Sequence, residues 1–231
     1  MVRMLALAFA LGAVPSHAAD AVLTKISGPV FIRAEGSKKD LPAKGGEELL
    51  YGDSIRTGSG GAAHVLIGER GAVLVREHSF FTLQGEPQKT TLNFAFGEFL
   101  IGLRKKLEKG ESFRVRTPAA VASVRGTLFW GKTDKKKTST YAGFGHTIAV
   151  TAHGKTVLVQ AGEKTTIPYG EAPAEAQPSG IPVSYTDNFR IGGSLQDLES
   201  LVDLPKTGAA APAPKAAPAA EPDAPDDAPA K

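Results

Sequence analysis

No cysteine occurs in the 231 residues. Disulfides, thiolate nucleophiles, cysteine-bound zinc and a cysteine-linked lipid anchor are thereby excluded, and the fold must hold by its core. Histidine is sparse as well. After residue 18 it occurs at His64, His78, His146 and His153, and no two have the H-x-x-x-H spacing of a metal site. No G-x-S-x-G elbow is present, and no base is evident for Ser123. Carboxylates in the body sit mostly beside glycines in turns, and nothing singles out a pair such as Asp53 with Glu98. The expectation is a non-enzymatic protein with no metal and no cofactor.

Nucleotide and nucleic acid are also not expected as partners. Residues 149–156, AVTAHGKT, end like a phosphate-binding loop, but Ala149 stands where that loop needs glycine. The loop must also open a helix whose amides hold the phosphates, whereas Thr156, Val157, Leu158 and Val159 are strand-like. No nucleic-acid-binding motif appears. Long apolar runs are scarce too. The run at residues 4–14 is about eleven residues, against the roughly 20 that a spanning helix needs. With Arg3 before it, Pro15 after it, and small residues at Ser16 and Ala18, residues 1–18 read as a secretory signal peptide cleaved near Ala18. The mature chain is expected to carry no transmembrane helix and to be periplasmic or secreted.

What remains changes composition near Pro168. Residues 20–170 are rich in Val, Leu, Ile, Phe and Thr, punctuated by glycine, and read as one β domain. Residues 171–193 read as a linker. Ser194 can cap a short helix at 194–204 with Leu195, Leu198 and Leu201 on one side, either docked on the domain or frayed. Residues 205–231 form an Ala/Pro-rich tail with scattered acids, expected to be disordered because it cannot bury enough apolar surface to offset chain entropy.

Inside the domain, apolar runs arrive every 8–12 residues or so with turn signals between them, the pattern of an all-β sandwich, barrel or solenoid. Residues 68–71 and the pair His153, Gly154 read as hairpin turns. Leu92, Phe94 and Phe96 alternate on one face. Gly97 and Glu98 then read as a turn into Phe99, Ile101 and Leu103, and Gly46-Glu47 and Gly162-Glu163 read as similar turns. Net charge is +3, but the tail holds more acid than base, so the β body is the more basic part. Arg104, Lys105, Lys106 and Lys109 form one basic cluster; Lys132, Lys135, Lys136 and Lys137 form another. Each falls where a turn is expected. They read either as solvated hairpin tips or as a contact for an anionic surface.

The chain is organised around residues 113–130, FRVRTPAAVASVRGTLFW. Phe113, Val115 and Thr117 alternate with Arg114 and Arg116 as in a half-buried strand, and Pro118 ends it. Residues 121–130 then read as a second, doubly covered strand interrupted only by Arg125, Gly126 and Thr127. A buried guanidinium needs acceptors for its five N–H groups, so Arg125 is expected to bind carbonyls where the sheet bends.

Arg116, Thr117 and Pro118, followed by Arg125, Gly126 and Thr127, resemble the signature of the FecR-type domain family. The upstream segment LLYGDSIRTG at residues 49–58 is similar to that family's Gly-Asp-x-x-x-Thr-Gly, and the resemblance covers about residues 22–167. It implies a single elongated, mainly antiparallel, sandwich- or solenoid-like β domain, and a binding or signalling role in the bacterial cell envelope. Sensors of this family place a cytoplasmic helical segment and a transmembrane helix before the domain. This chain instead resembles a stand-alone, exported form, so contact with a cytoplasmic sigma factor is not implied. The partner is expected to be an envelope protein, docking for example by strand addition, or an anionic cell-wall polymer met by the basic turns. The oligomeric state is left open.

The reading of Arg125 is testable. Arg125→Ala should lower the melting temperature and the yield of folded protein, since each stranded buried polar group costs about 1–3 kcal/mol. Lys136→Ala in an exposed turn should change stability by less than about 0.5 kcal/mol. An Arg125→Ala protein that melts like the parent would contradict an architectural role.

Overall fold

The computed structural model describes residues 19–103, 107–124 and 126–192. Residues 1–18 with the expected signal peptide, Arg104, Lys105, Lys106, Arg125, residues 194–204 with the expected helix, and residues 205–231 with the expected tail lie outside the described residues.

Seventeen strands occur among the described residues. In chain order, the first six are β1 (Ala21–Ser27), β2 (Val30–Arg33), β3 (Leu41–Pro42), β4 (Glu47–Leu49), β5 (Ser54–Thr57) and β6 (Ala62–Ile67). Next come β7 (Gly71–Val75), β8 (Phe80–Glu86), β9 (Lys89–Leu103), β10 (Ser112–Arg116), β11 (Val121–Val124) and β12 (Leu128–Thr133). The last are β13 (Ser139–Gly143), β14 (Ile148–Ala152), β15 (Lys155–Val159), β16 (Glu163–Ile167) and β17 (Gln177–Pro178), followed by a 3-10 helix, Val183–Phe189.

Backbone pairing sorts these strands into two rows that share one member. The first runs β4, β1, β6, β7, β9, β12, β13, β16, β17. The second runs β3, β2, β5, β8, β9, β10, β11, β14, β15. Of these pairings only β9 with β10 is parallel. Alternation along each strand turns one set of side chains toward the other row. Leu23, Val65, Val73 and Phe129 of the first row thus share a core with Ile55, Phe81, Phe113 and Val150 of the second. The protein is an all-β, mainly antiparallel sandwich, as the strand spacing leads one to expect. The hairpins read from the sequence close where expected, β6 to β7 at residues 68–70 and β14 to β15 at His153 and Gly154. His153 takes a left-handed conformation (φ 47°) there, as a tight hairpin turn requires.

Strand β9 departs from the sequence reading. Gly97 and Glu98 do not form a turn; the strand runs through them for 15 residues. Its first part pairs with β8 and β10, and its second part, Gly97 onward, pairs with β7 and β12. Gly97, at φ 119°, makes the bend between layers, and a Cβ at that position would overlap Ser79. Just before it, Phe80 faces Phe96 while Phe81 faces Phe94, so Ala95 is an extra residue, a β-bulge. The bulge reverses the side-chain alternation. Phe94 stays inside, stacked on Phe81 at 4.9 Å and on Phe99 at 4.2 Å. Phe96 turns outward onto Phe80 at 6.1 Å and is 40% exposed, so it does not share the buried face of Leu92 and Phe94.

Residues 121–130 are likewise two strands rather than one. β11 lies in the second layer and β12 in the first, and the chain crosses between them at Gly126 (φ 91°) and Thr127. A positive φ suits glycine at such a corner.

Residues 177–192 also differ from the linker expected there. Ile181, Val183, Tyr185 and Phe189 lie across the outer face of the first layer, over Leu74, Leu100, Leu128, Trp130 and Phe144. The segment is tied down by polar contacts. Ser179 donates its N–H to the Gly162 carbonyl at 2.8 Å, and His64 Nε2 donates to the Phe189 carbonyl at 2.7 Å. Following the Ala/Pro stretch at residues 172–176, and without a strand or helix period of its own, the segment still carries four apolar side chains that cover the sheet face. This strap should matter for stability. Phe189→Ala should cost about 3–5 kcal/mol in chemical denaturation, the usual cost of deleting a buried phenyl ring. Leu158→Ala, at a residue 61% exposed, should have little effect. Equal stabilities of the two variants would show that the strap does not hold the sheet.

Candidate functional site

The residues singled out in the sequence fall into two groups. Those of the FecR-like motifs are engaged in the fold itself. Asp53 accepts from the N–H groups of Glu35 (3.1 Å) and Leu50 (3.0 Å), fixing the turn before β5. Thr57 donates from Oγ1 to the Arg76 carbonyl at 2.7 Å and accepts from the Ser79 N–H at 2.9 Å. Thr117 is the centre of a buried hydroxyl cluster. Its Oγ1 lies 2.8 Å from the Tyr141 hydroxyl, accepts from Ser139 Oγ at 2.8 Å, and bonds both backbone groups of Ala120. Ser139 in turn meets Thr133 Oγ1 at 3.0 Å, so the Thr117-Pro118 turn braces the base of the β12–β13 hairpin. Thr127 Oγ1 binds the N–H and carbonyl of His146 at 2.6 and 3.1 Å. Arg116 is exposed on β10.

The second group comes together at a groove. Residues 134–138 form the expected turn between β12 and β13, tightened by Asp134, whose carboxylate accepts from the N–H groups of Lys136 and Thr138. Lys135 and Lys137 of this turn line a groove of about 920 Å³. Facing them are Arg56 from β5, Arg76 and His78 from the β7–β8 connection, and Lys132 from β12. Phe96 and Gly97 of β9 form part of the lining, and Tyr185 of the strap closes one side. The sequence separates these residues by up to 129 positions, and only the basic turn carried a local signal. Phe96 was hidden because the bulge at Ala95 cannot be read from alternation.

Glu98 anchors this region. It is only 8% exposed, yet its carboxylate is well partnered. Its Oε1 accepts from Trp130 Nε1 at 3.0 Å and from the Tyr185 hydroxyl at 2.8 Å, with Arg76 at 3.7 Å. Lys132 Nζ lies 3.7 Å from Oε2. Such partners are what a buried carboxylate requires. The pair Trp130 and Tyr185 also packs edge to face at 6.0 Å. Arg56 is fixed from outside the groove by Asp40 at 2.6 Å, which also binds Arg33 at 2.7 Å. The hydrogen bond from Arg33, reinforced by Arg56, holds the Asp40 carboxyl below its ordinary range. Lys137 Nζ lies 4.7 Å from the centre of the Tyr169 ring.

The groove can therefore offer charge, backbone and one aromatic face. Asp53 and Glu98 are held by separate structural contacts and do not form a working pair. Among the described residues there is no group of three side chains suited to hold a metal ion, and no helix is long and apolar enough to cross a membrane.

With this geometry in place, comparison with known proteins gives one family. The family model described as FecR protein matches residues 53–146, from Asp53 through the Thr117-Pro118 turn and the Gly126-Thr127 corner to His146. Over this span the chain is similar to the FecR family. No curated protein matches. Two crystal structures of a candidate anti-sigma factor from Parabacteroides distasonis are similar, each with a TM-score of 0.48, at 15% and 14% identity. The match covers 54% of this chain and 59% of theirs, so the chain spans little more than half the length of those proteins.

Tyr185 gives the site a pH dependence. Burial, together with its hydrogen bond to Glu98, raises the phenol above its ordinary value of 10.0. Burial likewise raises Tyr51 and Tyr141. A pKa raised in the folded state favours the neutral phenol there, so this contribution is complete below pH 10 and is lost as pH climbs through the folded value. Stability should thus fall steeply above about pH 10. In a Tyr169→Phe background, which removes the one exposed tyrosine among the described residues, phenolate absorbance should rise with unfolding rather than before it, and Tyr185→Phe should make the loss shallower. A full phenolate signal at alkaline pH from protein that remains folded would contradict this.

Proposed function

We propose that this chain is a non-enzymatic binding module with a signalling or regulatory role in the bacterial cell envelope. The observation that carries the reading is the FecR match over residues 53–146. The reading agrees with the chemistry: the motif residues Asp53, Thr57, Thr117 and Thr127 are engaged in turns and corners and leave no reactive group exposed. The reading of residues 1–18 as a signal peptide supports a location in the periplasm or outside the cell. In this reading the domain recognises an envelope partner and passes on its state through protein contacts. Strand β15, which among the described residues pairs with β14 alone, offers an edge for strand addition.

A second reading is favoured by the groove. Lys135 and Lys137, which the sequence offered as possible surface contacts, sit on the β12–β13 hairpin tip and line one groove together with Arg76 and Lys132. That concentration of positive charge suits an anionic polymer or surface of the envelope.

Cell fractionation with N-terminal sequencing should recover a protein beginning near Ala19 from the periplasm or the medium. In vivo crosslinking should then capture one envelope protein reproducibly if the first reading holds. Salt-sensitive pelleting with purified cell wall, without such a protein, would favour the second. Full-length chain confined to the cytoplasm would overturn both.

A further inference from the structure

The groove beside the β9 bulge has a composition unlike a protein-docking surface. Interface cores are depleted in lysine and filled by apolar anchors. Here the walls carry Arg56, Arg76, Lys132, Lys135 and Lys137, against Glu77, Glu98 and Asp134. Each of those carboxylates is already engaged within the protein. Glu77 accepts from the Gly60 N–H at 2.7 Å, Asp134 from the amides of its own turn, and Glu98 from Trp130 and Tyr185. Of these acids only Glu98 is buried, while Glu77 and Asp134 stay exposed but outnumbered by the cations, and Lys135 has no ion-pair partner among the described residues. The groove presents net positive charge to whatever enters it.

The second observation is Phe96. The bulge at Ala95 takes this ring out of the core and leaves it 40% exposed in the groove lining, flanked by Phe80 at 6.1 Å. An isolated exposed phenylalanine needs no explanation. This one lies beside the cations, is flanked by a second ring on the neighbouring strand, and is turned outward by the bulge at Ala95. An aromatic face flanked in this way can take the C–H face of a sugar ring, while the surrounding ammonium and guanidinium groups meet acidic substituents.

We infer that the groove binds a linear anionic glycan, with one sugar ring on Phe96 and its neighbours' carboxylate or phosphate groups on Lys135, Lys137 and Arg76. This rests on the reading of the chain as an envelope binding module and names the ligand class of its groove. Charge alone would accept any polyanion; the aromatic ring is what selects a sugar polymer.

The test uses the full mature chain and three probes: polygalacturonate, inorganic polyphosphate of matched charge, and neutral dextran, each followed by titration calorimetry at low and at physiological salt. Polygalacturonate should bind more tightly than polyphosphate, and dextran should not bind measurably. The double variant Lys135→Ala/Lys137→Ala should weaken polygalacturonate binding about tenfold, the order expected for loss of two exposed charge contacts. Phe96→Ala should weaken polygalacturonate binding and leave polyphosphate binding unchanged. Lys38→Ala/Lys39→Ala, exposed and outside the groove, serves as the charge control and should have no effect. If polygalacturonate and polyphosphate bind alike and Phe96→Ala changes neither, the groove is a charge patch and the inference fails. If no probe binds while crosslinking still captures an envelope protein, the glycan inference fails and the binding-module reading stands. If neither occurs, both fail.

Discussion

The structure depends on one strand being shared by two layers. β9 pairs with β8 and β10 on one side of Gly97 and with β7 and β12 on the other. Four strands thus take their register from one segment, and a one-residue slip in it would exchange buried and exposed faces throughout. The core is continuous across the bend. Phe81, Phe94 and Phe99 follow one another, and Phe129 and Tyr141 both pack on Phe99, with ring centres 4.2–6.5 Å apart. Aromatic contacts of this geometry add to the burial of the rings themselves. Ser79 supports the bend, accepting the Glu98 N–H at 3.1 Å and donating to the Arg76 carbonyl at 2.8 Å.

The same bend generates the groove. Gly97 directs the next side chain, Glu98, to the outer face of the first layer, where Trp130 and Tyr185 bind it. The bulge two residues earlier directs Phe96 to solvent on the second layer. The two sides of the groove are therefore positioned by adjacent irregularities in a single strand. The strap completes the arrangement from residues far along the chain: Tyr185 reaches Glu98, and Phe189 reaches His64. Glu98 thus links the β9 bend, the groove and the strap through one buried carboxylate. A carboxylate in such a position is tolerated because donors meet it.

Much of this was legible in the sequence, and the missing parts have physical reasons. Strand spacing gave the all-β class, with sandwich, barrel and solenoid left open, because period-two alternation and turn chemistry are local properties. His153 with Gly154, residues 68–71 and the Asp134 turn carry their own conformational signals. The motif Gly-Glu at residues 97–98 misled, because glycine reads locally as a turn, whereas a bend inside a paired strand is decided by the neighbours β8 and β12. Phe96 misled for the same reason. Residues 177–192 were hidden because they follow the Ala/Pro stretch at residues 172–176 and lack a regular period, although Ile181, Val183, Tyr185 and Phe189 are a signal that could have been weighed. Contacts such as Glu98 with Tyr185, or His64 with Phe189, join residues 87 and 125 positions apart and exist only in the folded chain.

The dependence of both layers on β9 is tested most directly by native-state hydrogen exchange under increasing denaturant. The account predicts that the slowest amides of residues 89–96 and of residues 98–103 share one opening free energy and one dependence on denaturant, equal to that of global unfolding. Two distinct opening free energies, with one layer exchanging while the other stays protected, would show that the layers stand independently and would contradict the account.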